Sequence, residues 1–399
     1  MAHLILFDAE VRNHLLPLTY ARPVGDLRVG ILTIREKWER RLGMPASFLT
    51  QDYLAELFPL DYAEQNLLVN GSILPSAELV ALVLDLGPGE AYLKDGELIA
   101  ARLDRAAVEA LAKDQDFDDL QAFDLGEQPL PRINRPADIF GLNNVALRED
   151  FALLTAGRVS ADISDTNTVI GPRENLFVEE GVDIEACTIN VKSGPVYLGK
   201  NAVVLEGCLL RGPIALCEGA VLKMGAKVYG ATTLGPACKV GGEVNNVVFQ
   251  ANSNKGHDGF LGNAAIGEWC NIGADTNASN LKNDYGEVRV WSYPEGRFAK
   301  TGLQFHGLVM GDHSKAGINT MFNTGTVVGF SCNVYGEGFP RTFIPSFIWG
   351  GAGGVMTYRM DKAIATATRV MDRRKVMFTE AHERLFGAVF AASGEWRKG

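Results

Sequence analysis

Between Leu198 and Val240 a large aliphatic side chain returns every sixth residue, at Leu198, Val204, Leu210, Leu216, Leu222, Val228, Leu234 and Val240. Four places after each of the first seven stands a mostly small residue: Ala202, Cys208, Ile214, Ala220, Ala226, Thr232 and Cys238. Glycine or another turn-tolerant residue precedes most of these, as at Asn201, Gly207, Pro213, Gly219 and Gly225. A period of six matches neither the turn of a helix nor the alternation of one long strand. It fits a coil of very short strands joined by tight turns, each hexapeptide sending one large residue into a shared interior. The sequence therefore predicts a parallel β-helix.

The rhythm starts weakly at Ile170, Leu176 and Val182, is disturbed around Thr188–Val196, and locks in at Leu198. It breaks at Asn246, resumes at Phe260, Ile266 and Ile272, and breaks again for a polar insertion from Lys282 to Gln304. Leu308–Val334 returns to the Gly-rich pattern. Upstream, strands are expected at His3–Phe7, Ser47–Thr50 and Leu67–Asn70, and helices at Val29–Leu42, Asp52–Phe58 and Ser76–Leu86. Residues 91–103 read as a hairpin turning at Asp95-Gly96. Alternating strands and helices describe an α/β domain. Pro129, Pro131 and Pro136 interrupt it, and a helix is expected from Ile139 to Leu154. Tyr358–Ala392 has helical spacing and would cap or brace the coil. The expected division is an α/β domain over 1–155, a β-helix over 156–348 and a helical extension over 349–399.

Composition narrows the function. A formal charge of −10 without a Lys/Arg stripe argues against a nucleic-acid partner. No window approaches the run of about 18 apolar residues that spans a membrane. The start of the chain lacks the basic and apolar regions of a signal peptide, so a cytoplasmic protein is expected. The six cysteines form no C-x-x-C pair, and three hold repeat positions, as reduced packing residues do.

The break Ser253-Asn-Lys255-Gly-His257-Asp-Gly-Phe260-Leu-Gly-Asn263 holds the richest chemistry. A neutral imidazole can take a proton from an amine or hydroxyl near pH 7, which makes His257 a candidate general base. The plainer alternative is a hydrogen-bonded surface histidine. Asn271 likewise has a plain alternative, an amide that satisfies turn backbone.

The run Lys255-Gly-His257-x-x-Phe260-Leu-Gly-Asn263, with Asn271-Ile-Gly273-Ala274-Asp-Thr276-x-x-x-Asn280, resembles the acetyltransfer site of glucosamine-1-phosphate acetyltransferases. Met310-Gly-Asp312-His313-Ser-Lys315-Ala-Gly317-Ile-Asn319 resembles a stretch of the archaeal bifunctional sugar nucleotidylyltransferase–acetyltransferases. The resemblance implies a left-handed coil, a homotrimer with sites between neighbouring coils, and acetyl-CoA as cosubstrate. It implies that His257 deprotonates the sugar amine and that Asn280 and Asn271 hold the amino sugar and the catalytic geometry, Asn280 as a catalytic residue. Gly273 and Ala274 would then lie beside the thioester, with Lys315 on the coenzyme. Phe260 stands where the family has Tyr, and Asn245-Asn246 stand near its sugar-phosphate Lys; Lys255, Lys282 or an arginine of a neighbouring coil is the candidate replacement.

Leu16-Pro-Leu-Thr-Tyr-Ala-Arg22-Pro23 resembles the Arg-Pro-Leu-Thr-Tyr-Thr-Arg-Pro of sugar nucleotidyltransferases. That family places Gly-x-Gly-x-Arg upstream so that backbone N–H groups reach a triphosphate; here Glu10-Val-Arg12-Asn-His14 stand there, and Val24 replaces its catalytic Lys. Asn70-Gly71 falls near its Mg²⁺-binding Gly-Asp, and a neutral amide is a poorer Mg²⁺ ligand than a carboxylate. Over nearly its whole length the chain resembles divergent bacterial uridyltransferase–acetyltransferases that make UDP-N-acetylglucosamine. They share Leu27-Arg28, Ile34-Arg-Glu-Lys37-Trp38, Asp138-Ile-Phe140 and Phe343-Ile-Pro-Ser-Phe347. The resemblance implies UTP and Mg²⁺ at the first domain, with Arg22, Arg28 and Asn70 toward the nucleotide and Asp138 toward the metal. Lys37 is a further phosphate candidate, more simply read as a solvated helix charge. Two other readings remain open: a first domain that only binds a sugar nucleotide, and a zinc hydrolyase or hydratase using His257, His306 and His313.

Overall fold

A computed structural model describes residues 2–113 and 120–397. The chain divides into two compact units: 1–15, 21–27 and 32–134 form the first, and 16–20, 28–31 and 135–399 the second.

In the first unit a mixed six-stranded sheet has the order Ala46–Leu49, His3–Phe7, Gln65–Asn70, Glu97–Asp104, Glu90–Lys94, Gln121–Asp124. Ile5, Leu68, Ala101 and Leu103 close a core on it. The hairpin turns at Asp95 and Gly96 as expected, both with positive φ. Ser76 caps the helix Ala77–Asp85. The helix expected from Val29 begins only at Ile34. Thr33 and Glu36 form a reciprocal capping box there, and Gly43 ends the helix in the left-handed conformation. The expected helix at 52–58 shrinks to a 3₁₀ turn over Asp52–Leu54.

The second unit is a left-handed parallel β-helix followed by helices; the hexads predicted the parallel coil, and its hand was implied by the family resemblance. Its rungs stack strand on strand: Val203–Val204 pairs with Val221–Leu222, and that with Lys239–Val240, in parallel register. All eight hexad aliphatics lie inside one core with Ala202, Cys208, Ala220, Ala226 and Cys238. Left-handed residues turn successive rungs at one corner, among them Asn201, Gly219, Ala237, Asn252, Trp269 and His313, with φ between 55° and 63°. For Ala237 and Trp269 this costs of order 1 kcal/mol each, held in place by the ladder on either side.

The break at Asn246 has a geometric cause. Val240 and its partner Lys255 lie 15 residues apart, against 18 between Leu222 and Val240. The short rung loses a turn, so Glu243–Phe249 runs on as one strand around a corner, and Phe260–Ile266 does likewise. The insertion forms an antiparallel hairpin, Arg289–Ser292 with Arg297–Lys300. The expected helix at 139–154 is two, Pro136–Gly141 and Asn143–Thr155. The helices Met360–Asp372 and Glu380–Ala392 brace the side of the coil, where Phe386 packs edge-on against His313, Phe330 and Phe347.

Leu222→Ala removes an interior rung contact and should lower the unfolding free energy by about 2–5 kcal/mol. Leu209→Ala, at an outward position that is half exposed, should change it by less than about 0.5 kcal/mol. Urea titrations of the two variants check the difference.

Candidate active site on the coil

Outward side chains of paired strands must stack in columns, because the ladder holds them in register. One column reads Lys239, Asn254, Asn271, Lys315. A cleft of about 640 Å³ opens over it and includes His257, Gly273 and Ala274. Five of the residues expected from sequence, His257, Asn271, Gly273, Ala274 and Lys315, thus line one cavity. His257 is exposed on the turn that leaves Lys255. Gly273 is required by the stacking: a Cβ there would sit 2.5 Å from the Gly317 carbonyl.

The cleft is basic. Lys223, Lys239, Lys315, Arg373 and Arg374 line it, and no carboxylate does. Burial lowers the Lys239 pKa, and Arg374, Lys223 and Arg373 lower it further. Arg374, just past the helix Met360–Asp372, is tied to the coil through the Ala237 carbonyl at 2.8 Å and the Asn254 amide oxygen at 2.9 Å. The Lys315 amine donates to the His313 carbonyl at 2.7 Å, and burial brings its pKa down to about 8. Such a concentration of cations in a chain of net charge −10 suits a polyanionic ligand. Lys223, Lys239, Arg373 and Arg374 were not singled out from sequence. The register of Lys239 with Asn271 could have been read from the hexads, but where the terminal helix lands could not.

Lys255 is not at the cleft surface. It occupies the inward position in register with Val240 and is 1% exposed, an ammonium inside the apolar coil. Its Nζ donates to the Gly241 carbonyl at 3.0 Å and to the His257 carbonyl at 2.8 Å. Desolvation brings its pKa down to about 8, while Asp258 and Asp275 oppose the shift. Its work is to hold the turn that presents His257.

Asn280 does not line this cleft: it lies against Gly262, where a Cβ would meet its amide nitrogen at 2.6 Å, and that amide donates to Asn263 Oδ1 at 2.7 Å. Phe260 begins the strand that follows the His257 turn. Lys282 pairs with Asp284 at 3.0 Å and lines a different cleft.

In the first unit, the turn after the first strand is filled by side chains. The Asp8 carboxylate accepts from the Val24 N–H at 2.8 Å and the Thr50 hydroxyl at 2.6 Å, and Arg12 is buried against Asp8 and Tyr53. Arg22 is buried 3.6 Å from Asp26. Lys37 is buried, not the solvated charge that its place on a helix suggested, because it lies on the face that carries Trp38. Asn70 is fully buried, accepting from Ser72 and donating to Glu97 and the Leu98 carbonyl. In the second unit, Arg28 is stitched to the coil through Gln250. Asp138 caps its own helix by accepting from the Arg135 N–H. Among the described residues no three His, Cys, Asp or Glu side chains gather as metal ligands. His306 is buried against Phe140 with its pKa pushed down to about 4, and His313 is stacked on Trp269.

A mixed α/β domain followed by a hexapeptide coil with a basic cleft defines the class. Residues 4–159 match the family model for sugar nucleotidyl transferases. The bifunctional protein GlmU of Geotalea uraniireducens is 27% identical over 218 residues, covering 49% of this chain and 43% of the relative. The GlmU of Methanocaldococcus jannaschii is 33% identical over 90 residues, covering 23% of this chain and 21% of its own. The uncharacterized acetyltransferase YaiX of Escherichia coli is 26% identical over 153 residues, covering 38% of this chain and 66% of its own. The chain therefore spans less than two thirds of each of these relatives. The chain is thus similar to GlmU proteins over part of their length. Among the described residues no helix is long and apolar enough to cross a membrane.

The Lys255 amine loses its proton near pH 8 in the folded chain and near 10.5 in the unfolded one. The unfolded state thus binds more protons between those values, and this group's contribution to stability rises with pH there. Wild type should gain stability relative to Lys255→Met between pH 8 and 10, by up to about 1.4 kcal/mol per pH unit. Urea midpoints at the two pH values measure it; parallel midpoints would refute it.

Proposed function

We propose that the coil transfers an acetyl group from acetyl-CoA to the amine of an amino-sugar 1-phosphate such as glucosamine 1-phosphate, and that the first domain handles the corresponding UDP-sugar. The observation that carries this reading is the shared cleft of His257, Asn271 and the Lys239–Arg374 cluster. Coenzyme A brings a diphosphate and a further phosphate, which suit Lys223, Lys239, Arg373 and Arg374. The thioester arm would run along the Gly273–Ala274 strip, where no side chain intervenes at Gly273.

In the transfer, His257 takes a proton from the sugar amine as its nitrogen bonds to the thioester carbon. The tetrahedral intermediate then expels the coenzyme thiolate, which leaves as the thiol after gaining a proton. Asn271 holds the sugar, and a neighbouring coil in a homotrimer would close the site and bring its own Asn280 to the sugar. Lys255 acts through the His257 turn and Lys282 from outside the cleft, so neither is assigned the sugar phosphate.

A second reading of the first domain is favoured by the Asp8–Arg12 packing at the turn where a triphosphate would need open backbone N–H groups. Under it the domain binds the UDP-sugar without forming it. UTP, Mg²⁺ and N-acetylglucosamine 1-phosphate would then release no pyrophosphate, although UDP-N-acetylglucosamine binds in calorimetry; release that Arg22→Ala abolishes would restore the nucleotidyltransferase.

For the coil, acetyl-CoA with glucosamine 1-phosphate should release free thiol. His257→Ala should cut kcat by about 10²–10⁴ while leaving acetyl-CoA affinity intact. Lys239→Ala should weaken acetyl-CoA binding instead. Full activity in His257→Ala would remove the base from the mechanism.

A further inference from the structure

A second cleft, of about 660 Å³, lies where the insertion folds against the coil. One wall is the insertion, with Lys282, Asp284, Glu287 and Arg289; the other is the coil, with Asn323 and Thr324. Its walls are fixed. A Cβ on Gly325 would meet the Arg289 carbonyl at 2.8 Å, so hairpin backbone rests directly on the rung. Val288 is buried beneath it, Glu287 accepts from the Gly302 N–H at 2.7 Å, and Thr324 shares a hydrogen bond with Ser279 at 2.8 Å.

The chemistry differs from that of the basic cleft. Two cations face two carboxylates, so the cleft selects no anion, and its lining is too polar for an apolar guest. Carboxylates, a guanidinium and a carboxamide are planar groups that bond two adjacent hydroxyls at once. Phe298 adds a ring that is 38% exposed and held edge-on by Trp291 at 5.4 Å. Such a face packs against the C–H side of a pyranose.

We propose that this cleft binds carbohydrate, as a neutral, polyhydroxylated sugar unit. It deepens the acetyltransfer reading, on which it rests for the acceptor's identity. Asn280, which the proposed transfer assigns to the sugar, directly precedes the cleft residues Leu281 and Lys282, so a sugar bound here would lie beside that residue. The preferred acceptor would then carry more than one sugar ring.

Saturation-transfer NMR on the full chain, with glucosamine, N-acetylglucosamine and N,N′-diacetylchitobiose, tests this without requiring turnover. Binding is expected, with the disaccharide held more tightly than either monosaccharide. Arg289→Ala and Phe298→Ala, both at exposed side chains, should each weaken it about tenfold, equivalent to about 1.4 kcal/mol. Lys239→Ala, in the basic cleft, should leave it unchanged. Absence of binding for all three sugars, or binding indifferent to Arg289 and Phe298, overturns the proposal. Loss of acetyl-CoA binding with sugar binding intact counts instead against the acetyltransfer reading alone.

Discussion

The parallel ladder between rungs is the constraint on which the rest depends. It packs one aliphatic per hexapeptide inward and leaves the outward residues no freedom to drift, so Lys239, Asn254, Asn271 and Lys315 stand in one column. A site built on such a column is preorganised without any loop having to close. The cost is carried at the corners, where Ala237, Trp269 and His313 accept left-handed backbone.

Lys255 shows how the scaffold and the chemistry meet. The rung that begins at Val240 is three residues short of 18, and its inward position holds an ammonium where neighbouring rungs hold Val240 and Ile272. Burying that charge is unfavourable, yet two carbonyls compensate it, one of them from His257. The defect in the repeat and the placement of the imidazole therefore share one cause. A leucine at 255 would fill the coil and leave the His257 carbonyl without this partner.

Much of this was legible from residue order. The hexads identified the coil and its interior because period six has few structural solutions. The Asp95-Gly96 turn and the Ser76 cap were readable for similar local reasons. His257 could be read because it falls at a break in a strict repeat, and Asn271 and Gly273 because they flank the repeat residue Ile272 in a stretch that resembles a known family. What stayed hidden depended on distant partners. Arg28 looked like a phosphate ligand until Gln250, far along the chain, was seen to hold it. Lys255, a candidate for the sugar phosphate from its place in a break, instead takes an inward rung position, which its register with Val240 sets. Arg373 and Arg374 reach the cleft only because the terminal helices brace that side of the coil, and no local signal encodes that docking.

The central claim is that the basic column and His257 form one acyl-donor site. A crystal structure with bound coenzyme A tests it most directly. The account predicts the diphosphate among Lys223, Lys239 and Arg374, with the thiol end beside His257 and the Gly273–Ala274 strip. Coenzyme A bound on another face of the coil, or with its thiol remote from His257, would contradict it.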